Sequence, residues 1–73
     1  MIQANREELC KEIGARLANA RNDMGLTRYQ VSRAIGMQET HLKKIEEGVY
    51  STRTDMLNRL CKYYRIKIIF PML

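Results

Sequence analysis

At 73 residues, 45% apolar and 29% charged, the chain has the composition of one small globular domain, near the lower size at which an apolar core holds without disulfides or metal. Its two cysteines, Cys10 and Cys61, have neither metal-ligand spacing nor the density of a disulfide framework, and its one histidine, His41, has no second imidazole; a metal site, a cofactor or a nucleophile–base pair is not expected. The net charge of +5 is uneven: four basic and four acidic residues cancel up to Asp23, and the whole excess lies from Met24 onward.

That asymmetry fits a surface facing a polyanion, although general solubility accounts for so modest a charge equally well. No apolar run approaches the length of a membrane span, and the opening MIQANREEL lacks the apolar core and cleavage site of a signal peptide, so a cytoplasmic location is expected. No carboxylate pair, glycine-rich phosphate loop or catalytic constellation can be assembled, which argues against an enzyme and against a small-molecule ligand.

The first helix is predicted to begin after Asn5, which makes a capping-box spacing with Glu8, and to carry Leu9, Ile13, Leu17, Ala20 and Met24 at intervals of three and four as its core stripe. Gly14 inside that helix costs about 1 kcal/mol of propensity relative to alanine and predicts a close packing contact. Arg21 suits the negative end of the helix dipole, Gly25 supplies the stop, and Leu26 can fold back onto the stripe.

Two short helices follow over about 27–47. Thr27 with Gln30 is a second capping-box spacing, and Val31, Ala34 and Ile35 fall on one side of the helix it opens. Gly36 closes this helix, and another runs from about 38 to 46. That one carries Leu42 and Ile45 inward and Glu39, Thr40, His41, Lys43 and Lys44 outward, with Gly48 as its stop. So short a turn forces a steep crossing that anchors one face of the later helix and leaves a polar face open. The pattern alone also fits a plain αα-corner with a solvated face.

The last helix, about 53–64, places Leu57, Leu60, Cys61 and Tyr64 on one face, with Thr52 and Asp55 as a helix-start signal. Met56 and Tyr63 point elsewhere. Residues 66–70 are β-branched and aromatic and end at Pro71, which reads as a strand without a partner in the chain. An unpaired apolar edge invites antiparallel pairing with a second copy, giving an interface of Met56, Tyr63, Ile66, Ile68, Ile69 and Phe70. The alternative is a tail collapsed on its own core.

The run formed by Arg21, Gly25, Leu26 and Thr27 matches R-x-x-x-G-L-[ST], Leu42, Ile45, Glu46 and Gly48 match I-x-x-[IW]-E-x-G, and Leu57, Leu60 and Cys61 match L-x-x-[IL]-[AC]. Together these resemble the Cro/C1-type (XRE, lambda-repressor-like) helix-turn-helix family over about 13–66. Three positions depart from its pattern: Ser32 stands for the usual alanine where the motif helices meet, Arg65 stands for the glycine ending the fourth helix, and residues 66–70 replace the fifth helix. The implied fold is all-α, a lambda-repressor-like four-helix DNA-binding domain with a short C-terminal β-strand.

The resemblance implies a transcriptional regulator, most simply a repressor, binding double-stranded DNA as a homodimer on a pseudo-palindromic site. Its readers would be Gln38, Glu39, Thr40 and Lys43, with His41 and Lys44 at the margin. Glutamine suits adenine, lysine guanine, glutamate cytosine, and threonine a thymine methyl. Glu39 can equally pair with Lys43 one turn on, without touching a base. Phosphate contacts would come from Thr27 and Arg28, and from Tyr50, Ser51, Thr52 and Arg53 after the reader helix. Glu46 reads as structural. The competing function is an antitoxin-like or other protein-interaction module that binds a toxin or another protein through the C-terminal strand. Phage, restriction–modification and toxin–antitoxin settings are all compatible.

Overall fold

Helix boundaries in this chain are set by short-range chemistry, beginning with Thr27. Its hydroxyl oxygen accepts the Gln30 amide at 3.1 Å, and the Gln30 side-chain oxygen accepts the Thr27 amide at 2.9 Å, so the expected capping box is complete. The computed structural model describes residues 6–49 and 53–68 and contains α1 (Arg6–Asp23), α2 (Arg28–Ile35), α3 (Glu39–Glu47) and α4 (Thr54–Tyr64). Asn5, proposed to cap α1, and Thr52, proposed to open α4, lie outside the described residues.

The core is formed by Leu17 and Ala20 of α1, Val31 and Ile35 of α2, Leu42 and Ile45 of α3, and Leu57, Leu60 and Tyr64 of α4. Leu17, Val31, Leu42 and Leu60 are wholly enclosed, each contributing about 1.5–3 kcal/mol by leaving water. Two positions on the predicted stripes are corrected. Met24 is 46% exposed, because α1 ends at Asp23 and Met24 enters the turn. Ala34 is exposed, and Ser32 takes the inward position beside Val31 and Ile35; its hydroxyl can be buried because it donates to the Tyr29 carbonyl at 2.8 Å.

α1 lies against both α3 and α4, and α2 lies against α3. Glycine makes the α1–α3 approach possible. A Cβ at Gly14 would stand 2.3 Å from the Ile45 carbonyl oxygen and 2.6 Å from that of Glu46, so the predicted close contact is with the last turn of α3. Gly48, at φ 74°, closes α3 with Val49 donating back to the Lys44 carbonyl at 3.0 Å, and a Cβ there would meet Lys11 Cα at 2.6 Å.

The end of α4 departs from this economy. Arg65 adopts φ 59°, a left-handed conformation usually left to glycine, while Ile66 donates to the Cys61 carbonyl at 2.9 Å. Holding a side chain there costs about 1–2 kcal/mol. The turn sends the chain back over α4, and Ile66 and Ile68 pack against the core with Lys67 exposed between them.

The predicted strand is therefore corrected. Residues 66–68 take no regular secondary structure, no strand occurs among the described residues, and Ile69 and Phe70 lie outside them. The alternation of Ile66, Lys67 and Ile68 is kept, and it serves burial on the chain's own core. Met56, assigned to an interface, also packs against that core, whereas Tyr63 stays exposed, with its ring centroid 5.9 Å from that of Tyr64 and the two ring planes at 66°. No described helix is long and apolar enough to cross a membrane.

Gly14→Ala should destabilise the fold by about 2 kcal/mol, since backbone collision outweighs the roughly 1 kcal/mol gain in helix propensity. Thermal unfolding followed by circular dichroism should show the midpoint falling by about 10 °C. An unchanged or raised midpoint would mean that α1 and α3 separate freely.

Candidate nucleic-acid interface

α3 divides sharply into two faces. Leu42, Ile45 and Glu46 are buried, while Glu39, Thr40, Lys43 and Lys44 are exposed and His41 is half-buried. Gln38, expected inside the helix, is its exposed N-cap residue in extended conformation, and its side chain accepts no capping hydrogen bond. Among the described residues no ion pair joins Glu39 to Lys43, so the compensating i,i+4 pair is not formed in this conformation. The polar row thus offers an amide, a carboxylate, a hydroxyl and two ammonium groups on a rod whose opposite side is fixed.

What fixes the far end of that rod is the carboxylate of Glu46. Its side chain is 1% exposed, and it receives Arg21 Nε at 2.8 Å on Oε2 and Arg21 Nη2 at 3.0 Å on Oε1, a two-point fork. Arg28 Nε donates to Oε1 at 2.8 Å, and Arg21 Nη1 donates to the Leu26 carbonyl at 2.8 Å. One carboxylate therefore joins the end of α1, the start of α2 and the end of α3, and Arg21 ties in the turn. The hydrogen bonds to Glu46 hold the Arg21 guanidinium above its ordinary range, with burial acting in the opposite direction.

Tyr64 lies within the electrostatic reach of this cluster. Burial pushes its phenol up to about 12, the Glu46 charge adds to the shift, and Arg21 opposes it. Its hydroxyl is buried with no hydrogen-bond partner among the described residues, a state that costs about 1–3 kcal/mol.

The residues proposed for phosphate contact divide as well. Thr27 is exposed and Arg28 is one-third exposed at the opening of α2, where the capping box satisfies the Thr27 and Gln30 amides and, among the described residues, leaves those of Arg28 and Tyr29 without a capping partner. Arg53 is 90% exposed, 3.9 Å from the Asp55 carboxylate. Tyr50, Ser51 and Thr52 lie outside the described residues.

Besides the Arg21–Glu46 fork, three further contacts escaped sequence reasoning. Arg28 binds Glu46, Arg59 of α4 donates to the Ile35 carbonyl at the end of α2, and Arg33 stacks over the exposed Tyr29 ring at 5.9 Å. The last was legible as an i,i+4 spacing on a helix. The other two join residues 18 and 24 positions apart, and only the fold brings them together. Among the described residues no group of His, Cys, Asp or Glu is placed to hold a metal ion.

Residues 12–67 match the family described as a helix-turn-helix domain. The chain is also similar to the ImmF control region 10 kDa protein of Bacillus phage phi105, with 34% identity over 50 residues, which is 68% of this chain and 56% of that protein. The chain thus matches little more than half the length of that curated relative. No solved structure matches.

The raised Tyr64 phenol gives a pH-dependent prediction. The folded state holds the Tyr64 proton more tightly than the unfolded chain, so this contribution is intact below pH 10 and is lost as pH rises from 10 toward 12. Tyr64→Phe should be as stable as the parent or up to about 1 kcal/mol more stable at pH 7, because an unpaired buried hydroxyl is removed. Urea unfolding at pH 7, 10 and 11 should show a shallower alkaline loss for the variant; parallel losses would remove Tyr64 as their source.

Proposed function

The chain belongs to the helix-turn-helix domain family, of the Cro/C1 (XRE) kind, and on that premise we propose that it is a sequence-specific transcriptional regulator that binds double-stranded DNA, most simply a repressor occluding a promoter. The observation that carries this reading is the division of α3 into an anchored apolar face and an exposed polar row. A B-DNA major groove accepts one such helix, and each base pair there shows a distinct pattern of donors, acceptors and methyl. Gln38, Glu39, Thr40 and Lys43 read bases, with His41 and Lys44 beside them. Thr27, Arg28 and Arg53, together with Tyr50, Ser51 and Thr52, grip the backbone and set the register.

One such helix contacts too little DNA for high specificity. A homodimer places two of them one helical turn apart on a pseudo-palindromic site and makes the second contact effectively intramolecular. The supporting feature is a shallow groove between α4 and the returning chain, lined by Leu57, Cys61, Ile66 and Ile68 and flanked by Lys62 and Lys67. The same groove suits a protein partner of the antitoxin kind. Salt dependence separates the two roles, because DNA binding through lysine and arginine releases counterions and a protein contact through this groove does not.

Selection of bound duplexes from a random pool should return a two-fold symmetric site, and affinity for it should fall steeply with salt. On the selected site, Lys43→Ala should cost about 1–3 kcal/mol and relax the preference at one base pair, whereas Arg53→Ala should weaken selected and random DNA alike. An asymmetric consensus would remove the dimer. No enrichment with salt-insensitive behaviour would favour the protein-partner role.

A further inference from the structure

Arg28 does more at Glu46 than neutralise it. The fork from Arg21 already matches the single carboxylate charge, at 2.8 and 3.0 Å, and the Arg21 side chain is only 10% exposed. Arg28 therefore adds a second guanidinium to a paired site, and the cluster carries one positive charge in excess. The more exposed member, at 35%, carries it.

The contact uses Nε. Its geometry fixes the plane of the guanidinium by its inner edge, and among the described residues no acceptor is hydrogen-bonded to its terminal nitrogens. An arginine can bind one anion through Nε and another through its outer edge, because its donors are spread over a rigid fork; a lysine has one nitrogen for both tasks. Arg28 is also the first residue of α2, and Glu46 lies in the last turn of α3. Whatever holds the outer edge of Arg28 is thereby coupled to the position of the reader helix.

We propose that Arg28 is a phosphate-binding residue positioned by Glu46, which holds its guanidinium by Nε and presents the terminal nitrogens, already oriented, to one phosphate of the DNA backbone. This rests on the DNA-binding reading above and adds to it the division of labour within one side chain. It separates Arg28 from Lys43, Lys44 and Arg53, whose charges are exposed and not held by a buried carboxylate.

The test compares the full-length parent, Arg28→Lys and Arg28→Ala on a random-sequence duplex of about 30 base pairs, since phosphate contacts do not depend on sequence. Fluorescence anisotropy across a salt series should show both variants losing about tenfold in affinity at low salt, and the slope of log affinity against log salt becoming shallower by about 0.9. Circular dichroism should show both folded, because Arg21 still pairs with Glu46. Arg28→Lys binding with the parent's affinity and slope would reduce Arg28 to a simple cation and overturn the proposal. Unfolding of both variants would make Arg28 purely structural and overturn it as well. A parent protein that binds no duplex at low salt would sink the DNA reading itself, an outcome seen before any variant is measured.

Discussion

A carboxylate with almost no contact with water cannot be left unpaired, and the burial of Glu46 is the constraint on which the arrangement of the first three helices depends. Apolar contacts among Leu17, Val31, Leu42 and Ile45 supply attraction, but they are non-directional and tolerate small rotations. The fork from Arg21 does not. It sets the end of α3 against the end of α1 with hydrogen bonds of fixed direction, and the third bond, from Arg28, adds the start of α2. Removing one partner of such a group leaves an uncompensated charge, typically at a cost of about 3–5 kcal/mol, even where the intact group adds little net stability over an apolar filling. Its value here is orientation.

Close approach and strain are distributed unequally around that centre. At Gly14 and Gly48 the chain dispenses with side chains so that α1 can touch the backbone of α3 and the turn after it. At the other end it accepts penalties: Arg65 stands in a left-handed conformation and Tyr64 buries a hydroxyl without a partner. The gain at Arg65 is a reversal that lays Ile66 and Ile68 on the core, covering apolar surface in a domain with little to spare.

Much of the architecture was legible because its causes are local. The capping box of Thr27 and Gln30, the stops at Gly36 and Gly48, and the inward Leu42 and Ile45 all follow from spacings of three or four residues. Gly14 was legible as a close contact, though not which backbone it meets. The structural role of Glu46 was legible, but its partners were not, since Arg21 and Arg28 approach it only through the fold; Arg28 was read only for its place at the opening of α2. Residues 66–68 show the limit of strand propensity, which measures fit to a half-buried pleated surface. A core can offer the same alternating environment to an irregular chain. The division of the α3 faces was readable from periodicity, whereas the hydroxyl acceptor that lets Ser32 go inward in place of Ala34 was not.

The anchoring of α3 falls to Leu42, Ile45 and Glu46, while Gln38, Glu39, Thr40, Lys43 and Lys44 are exposed and their side chains form no bond among the described residues that holds the domain together. Those outer positions can therefore mutate without jeopardising folding, and each change alters only what the helix offers to its surroundings. A lineage built on this scaffold is free to change the chemistry of that face by point substitution, and an engineer is free to do the same by randomising five codons.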